Sequence, residues 1–234
     1  MEEPNFNNLF KQPEKKEVTH TEQIISPKEW YCCTQLPQGT VDYLWECIER
    51  AKEKNIDHRD QLAGNISKSI ALEDPNDYLI NDYFSAICRS DLRDKITDRI
   101  HESFRSAIPT IGGDTFDPYM NRLWVNFQKK HEFNPLHDHS GMFSFVIWMK
   151  IPYEHEDEKQ LPWVKGSGAD GAVGNFVLLD RDLRCHTFAM GKHMEGQILF
   201  FPSFMHHMVY PFYTSDEERI SISGNIAYKR RQGG

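Results

Sequence analysis

Two histidines separated by one residue, His137 and His139, stand in Phe133-Asn134-Pro135-Leu136-His137-Asp138-His139-Ser140-Gly141, just before the apolar run Phe143-Ser144-Phe145-Val146-Ile147-Trp148-Met149. Side chains of an extended segment alternate between faces, so both imidazoles can point to one side and bind one metal ion. A β-scaffold draws its other ligands from strands distant in sequence, and His206-His207 offers a third. That pair follows a second strand-like run, Gly196 to Phe201, which Pro202-Ser203 ends in a turn. Further on, Arg219-Ile220-Ser221-Ile222-Ser223-Gly224-Asn225-Ile226 alternates strictly, placing Arg219, Ser221, Ser223 and Asn225 on one face and the isoleucines on the other. An arginine among inward polar residues is a trap for a carboxylate.

A His pair, a distal His and then Arg-x-Ser resembles the Fe(II)/2-oxoglutarate-dependent dioxygenase superfamily. The likeness is to small prokaryotic and phage-type, prolyl-hydroxylase-like members with an Asn-Pro-x-His-x-His segment and a Phe-Pro-Ser…His-x-Val-x-Pro segment. Asn134 to His139 and Phe201 to Pro211 match these, and the resemblance spans roughly residues 115 to 230. It implies that His137 and His207 are iron ligands, His207 being preferred to His206 because it begins the His-x-Val-x-Pro segment. It also implies that Arg219 pairs with the far carboxylate of 2-oxoglutarate and that Ser221 assists. The implied fold is mainly β with α elaboration: a double-stranded β-helix (a cupin-like jelly roll) with N-terminal helices packed on the sheet. The implied cofactors are Fe(II), 2-oxoglutarate as co-substrate and O2. Decarboxylation of the co-substrate to succinate and CO2 would yield a ferryl species that hydroxylates a peptidyl side chain, proline among the candidates, or a small metabolite.

The chain departs from the family at one ligand. Where most members have His-x-Asp or His-x-Glu, giving two histidines and one carboxylate, this sequence has His139. Either His139 binds, so that Fe²⁺ and dianionic 2-oxoglutarate sum to zero charge, or a β-bulge after Pro135 turns Asp138 inward. The first needs no irregularity and is preferred. His58-Arg59-Asp60, in a charged stretch, reads as solvated surface, and His155-Glu156-Asp157 as a charged loop. For Arg219 the competing reading is a salt bridge to Asp216, Glu217 or Glu218, and Lys150 is the runner-up anchor. Asn126, in the strand Leu123 to Phe127, either contacts cofactor or substrate or is an exposed strand residue. Trp124, Phe143, Phe145, Trp148, Phe200 and Phe201 read as jelly-roll core. Two other functions fit the same residues: a 2-oxoglutarate-independent three-histidine dioxygenase of cupin type, for which Arg219 is structural, and a non-catalytic metal-binding jelly-roll module.

The elements that must position these residues follow from the rest of the chain. Its 234 residues fit one structural domain overall, expected as a flexible lead over 1–20, a strand and helical elaboration over 21–114, and the catalytic core over 115–234. Glu22 to Cys33 contains the first strand. Thr40 is placed to N-cap a helix from Val41 to Lys54 with Leu44, Ile48 and Ala51 on one face. Gln61 to Ile70 is ambiguous, a helical stretch runs from about Tyr78 to Ala107, and Ile111 to Asp114 is a linker. Asp170-Gly171 marks a turn before a strand from Asn175 to Leu179. The five cysteines show neither a disulfide framework nor a Cys-x-x-Cys metal site. A 39% hydrophobic, 26% charged composition and a mean hydropathy of −0.63 are those of a soluble globular protein. The acidic start is no signal peptide and no run is long enough to span a membrane, so the expected location is cytoplasmic. A net charge of −8 excludes a duplex nucleic-acid binder, which needs a basic face. The expected partner is instead a peptidyl or small-molecule substrate, with no membrane.

Overall fold

The computed structural model describes residues 21–26, 29–84, 116–164, 166 and 172–230. The expected flexible lead, the linker at 111–114, the turn at 170–171 and most of the helix expected from Tyr78 to Ala107 lie outside these residues. Two antiparallel sheets dominate. The strands are β1 (Thr21–Ser26), β2 (Glu29–Gln35), β3 (Ser69–Ala71), β4 (Phe116–Gln128), β5 (Asn134–His137), β6 (Phe143–Lys150), β7 (Phe176–Leu179), β8 (Cys185–Phe188), β9 (Gln197–Pro202), β10 (His207–Val209) and β11 (Arg219–Arg230). The larger sheet runs β1-β2-β9-β6-β11-β4-β3 and the smaller β5-β10-β7-β8. From β4 onward the chain passes back and forth between the sheets, with β9-β6-β11-β4 set against the four strands of the small sheet. That eight-strand winding is a jelly roll, the double-stranded β-helix expected from the sequence.

Alternation along the large sheet divides two cores. Leu123, Val125 and Phe127 of β4, Phe143, Phe145, Ile147 and Met149 of β6, and Ile220, Ile222 and Ile226 of β11 share a cluster with Leu44, Cys47, Ile48 and Ala51 of the helix α1 (Gln38–Lys54). Their neighbours in sequence point into the jelly roll. There Val146 and Trp148 of β6 and Leu199 and Phe201 of β9 meet Phe176, Leu178 and Val209 of the small sheet. Strand β6 is therefore apolar at nearly every position because both its faces are covered. Burying a side chain of this size contributes about 1.5–3 kcal/mol, so both faces contribute to stability.

Helix α1 begins three residues before its expected start. Pro37 is the N-cap, at φ −55°, and its carbonyl accepts from Val41 N at 3.1 Å. Thr40 lies inside the first turn, buried, with its hydroxyl 3.1 Å from that of Tyr78. Proline presets the backbone for helix entry, so no side-chain cap is required. The C-terminus closes on Asn55 in the left-handed region, φ 46°, with its N–H donated to Ala51 O at 2.8 Å. Of the second expected helix, Leu79–Phe84 is a π-helical turn. Phe84 of that turn packs on Phe145 and Phe200 of the large sheet, with ring centroids 4.9 and 5.3 Å apart. Cys33 and Cys47 are buried free thiols, Cys185 is an exposed one and Cys32 is buried; Cys88 is outside the described residues. No described helix is long and apolar enough to cross a membrane.

Candidate metal centre

His137 ends β5 and His207 begins β10, and the two are directly paired across the small sheet. His139 follows β5 by two residues. Ring centroids are 4.3 Å apart for His137 and His207, and 4.9 Å for each of the pairs with His139. One ligand atom from each ring lies within 4.8 Å of the other two, the spacing of donors around one ion. The structure thus brings together the three histidines singled out in the sequence. Asp138 and His206 are exposed, so neither the bulged carboxylate arrangement nor the alternative distal histidine is adopted.

Two of the rings are oriented by their own backbone. His137 Nδ1 lies 2.7 Å from Pro135 O, and His207 Nδ1 lies 3.2 Å from Met205 O. A carbonyl can only accept, so each Nδ1 carries the proton and each Nε2 keeps its lone pair. His139 is instead met edge-on by the indole of Trp124, with centroids 5.7 Å apart and planes at 63°. Burial lowers the pKa of all three, that of His139 to about 4 and that of His207 well below the ordinary 6.5. The nearness of the rings to one another adds to this for His139 and His207, and Arg122 contributes at His139. The cluster is neutral at pH 7, the protonation state in which imidazole binds a metal.

The histidines line an open cavity of ≈ 720 Å³, counting its mouth, whose wall includes Trp124, Asn126, Gln128, Arg219, Ser221 and Ser223. Arg219, the first residue of β11, is 4% exposed. Its guanidinium donates to Tyr153 Oη at 2.7 Å, to Gly174 O at 3.2 Å and to Gln128 Oε1. All three acceptors are neutral. Among the described residues no carboxylate lies within 4 Å of it: Asp216 pairs with Lys130, and Glu217 with Lys150 at 2.5 Å. The expected competing salt bridge is thus absent. Lys150 is partly exposed and forms no part of the cavity wall.

Asn126 is buried, 5% exposed, with its Oδ1 accepting from Ser69 Oγ at 2.6 Å, so it is not an exposed strand residue. Trp124, Trp148 and Phe201 line the cavity, whereas Phe143 and Phe200 belong to the core beneath α1. His58 is half-buried and stacks on Trp124 at 5.8 Å, in place of the solvated surface expected for it. His155 to Glu158 form a one-turn helix, α2, distinct from the histidine cluster. Gln128 and Tyr153 were not among the candidates. The even-numbered face of β4 that carries Trp124 and Asn126 also carries Gln128, so that residue had a signal. Tyr153, in the irregular stretch after Pro152, had none.

Residues 122–225 match the family model described as "Putative 2OG-Fe(II) oxygenase". That segment holds His137, His139, His207 and Arg219. Members of this family are enzymes that use Fe(II), 2-oxoglutarate and O2. The chain is also similar to three solved structures. One is a Pseudomonas putida prolyl-4-hydroxylase, at 16% identity over 86% of this chain and 92% of that one, with a TM-score of 0.48. Another is a prolyl hydroxylase from Trichoplax adhaerens, solved with a hypoxia inducible factor oxygen degradation domain peptide fragment. Its identity is 11% over 85% and 82% of the two chains, with a TM-score of 0.47. A 2OG-Fe(II) oxygenase family oxidoreductase from Burkholderia pseudomallei is 17% identical over 58% and 55%, with a TM-score of 0.36. No curated protein sequence matches the chain. The donor set suits the family's metal: three neutral imidazoles, two of them with Nε2 freed by a bonded Nδ1, in a site open on one side.

Proposed function

We propose that the protein is a 2OG-Fe(II) oxygenase that holds Fe(II) through His137, His139 and His207, binds 2-oxoglutarate with its distal carboxylate on Arg219, and hydroxylates a peptidyl side chain or a small metabolite. The observation that carries this is the state of Arg219. A buried guanidinium surrounded by neutral oxygens keeps its charge uncompensated until an anion arrives, and this one shares a cavity with the three imidazoles. Tyr153 and Gln128 fix the plane of the guanidinium, and Ser221, one inward position along β11, offers a hydroxyl to the same ligand. Bound iron would supply activation of O2. The chain supplies neutral ligands, a fixed anchor and apolar walls, Trp148, Phe176, Phe201 and Val209, that exclude water. A three-histidine set also suits an oxygenase that takes no 2-oxoglutarate, but such an enzyme would have no use for Arg219 as found.

The test is direct. Fe(II)-loaded protein should convert 2-oxoglutarate to succinate, and Arg219→Ala should weaken 2-oxoglutarate binding at least about tenfold, since a hydrogen bond to a charged group contributes about 1.5–3 kcal/mol. Metal affinity should be unchanged. Arg219→Lys should recover part, because an ammonium lacks the two-pronged contact, and Lys150→Ala should have no effect. Unaltered calorimetric affinity in Arg219→Ala would overturn the assignment.

A further inference from the structure

The inward face of β4 carries, in order, Gln128, Asn126, Trp124 and Arg122. Opposite them on β11 stand Arg219, Ser221, Ser223 and Asn225. Gln128 holds Arg219 at one end, and Trp124 touches His139 in the middle. Arg122 is the next inward position beyond Trp124, about 7 Å further along the strand and about 20 Å from the Gln128 rung. The register shift between Arg122 and Met120 then turns Met120 outward, where it packs on the core beneath α1. Arg122 is thus the last inward residue of β4, one inward position beyond Trp124 of the cavity wall and on the side of the histidines away from Arg219.

Arg122 is half-buried, yet it makes no hydrogen bond and no ion pair among the described residues. Trp124, the inward residue next to it, meets His139 edge-on at 5.7 Å and stacks with His58 at 5.8 Å. Asn225, the partner of Arg122 across the strands, uses its Oδ1 to accept from Ser144 Oγ at 2.9 Å; its amide nitrogen is a second donor on the same rung. In a chain of net charge −8, carboxylates are plentiful, and Arg59, Lys130 and Lys150 have each found one. A half-desolvated guanidinium without such a partner, on the strand position next to the tryptophan that meets His139, has the chemistry of an anion site.

We infer that the substrate to be oxidised bears a carboxylate and that Arg122 binds it, so that the co-substrate's distal carboxylate and the substrate's carboxylate are held from opposite ends of one strand face. This deepens the reading of the site given above and rests on it. Arg122 acts in specificity: it holds the substrate across Trp124 with its neutral part toward the histidines. The carboxylate can be the main-chain group of a free amino acid or the side chain of an acidic peptide residue, and Arg122 recognises what the two share.

The experiment uses full-length protein labelled with ¹⁵N-arginine, with zinc standing in for iron to keep the sample diamagnetic. The Nε–H resonances of Arg219 and Arg122 are assigned from Arg219→Lys and Arg122→Lys. Adding 2-oxoglutarate should move Arg219 and leave Arg122 in place. At saturating 2-oxoglutarate, N-acetylglycine carries a main-chain carboxylate, N-acetyl-aspartic diamide a side-chain carboxylate, and N-acetylglycinamide none. Arg122 should move with one or both carboxylates and not with the amide, and the bound form identifies the source. Calorimetry should show that probe binding at least about tenfold weaker in Arg122→Gln, with part of it restored in Arg122→Lys. An unmoved Arg122 resonance with both carboxylates, or an equal response to the amide, would overturn this inference and leave the Arg219 assignment standing. If 2-oxoglutarate moved Arg122 in place of Arg219, the co-substrate assignment itself would be at fault.

Discussion

At the residue scale the decisive position is 139, where an imidazole stands in place of the acid of the common triad. Its neighbour Asp138 is exposed, so the choice between them is one of side-chain direction. His139→Asp should keep or raise iron affinity, because the substituted carboxylate points where the ring now points and adds charge attraction to the ion. Asp138→Ala should be mild, and His207→Ala should abolish stoichiometric binding. An anaerobic Fe(II) titration of the three variants checks this, and loss of iron only in Asp138→Ala would reverse the assignment. His137, His139 and Arg219 were singled out by residue type and period-two alternation, and His207 over His206 by the resemblance of its His-x-Val-x-Pro segment. What held them was not. The Nδ1 bonds to Pro135 and Met205 are set by local backbone, and the Arg219 clamp joins Gln128, Tyr153 and Gly174 from three separate segments.

Elements explain how the anchor is kept in place. β11 was legible as a strand because polar and apolar residues alternate strictly. Only the fold shows that both sets are inside, the isoleucines against α1 and the polar residues against the cavity. The start of α1 was misplaced because Thr40 is a good capping residue in isolation, whereas Pro37 already presets the first turn. The turn leading into β11 depends on Glu158 of α2, which is fully buried and accepts from Tyr213 N, Thr214 N and Thr214 Oγ1 at 2.6–3.0 Å. Glu158→Ala leaves three donors without their acceptor, and we expect a loss of about 2–4 kcal/mol in urea unfolding. Weaker 2-oxoglutarate binding should accompany it, because the loosened turn delivers Arg219. A second device is Gly174, at φ 64°, where a Cβ would lie 2.7 Å from the Tyr153 ring. Gly174→Ala should displace Tyr153 and weaken 2-oxoglutarate binding while metal binding holds; equal affinity by calorimetry would show the clamp to be dispensable.

On the scale of the whole molecule, three mutually close neutral histidines in one buried cluster make stability depend on pH and on metal. In the folded, metal-free chain their pKa values lie below the ordinary 6.5, that of His139 at about 4. The unfolded chain therefore takes up protons on these residues as pH falls below 6.5, while in the folded chain all three resist protonation, His139 until about 4. Protons then favour unfolding, so stability is fully present above 6.5 and is lost progressively as pH falls toward 4. Asp57, whose pairing with Arg59 holds its pKa near about 2, titrates below this window and does not obscure it. Urea unfolding with a chelator present, repeated across the window, should show this decline, and His139→Gln should make it shallower. Bound metal steepens the dependence, because the folded holo-protein must shed its ion before its imidazoles can protonate. Adding Zn(II) or Fe(II) should raise the melting temperature at neutral pH, and the gain should vanish on the acid side of the same window. A stability curve flat between pH 6.5 and 4 in the metal-free protein, or a metal-induced gain that survives acid, would mean that the three rings are not the linked, desolvated cluster described for this fold.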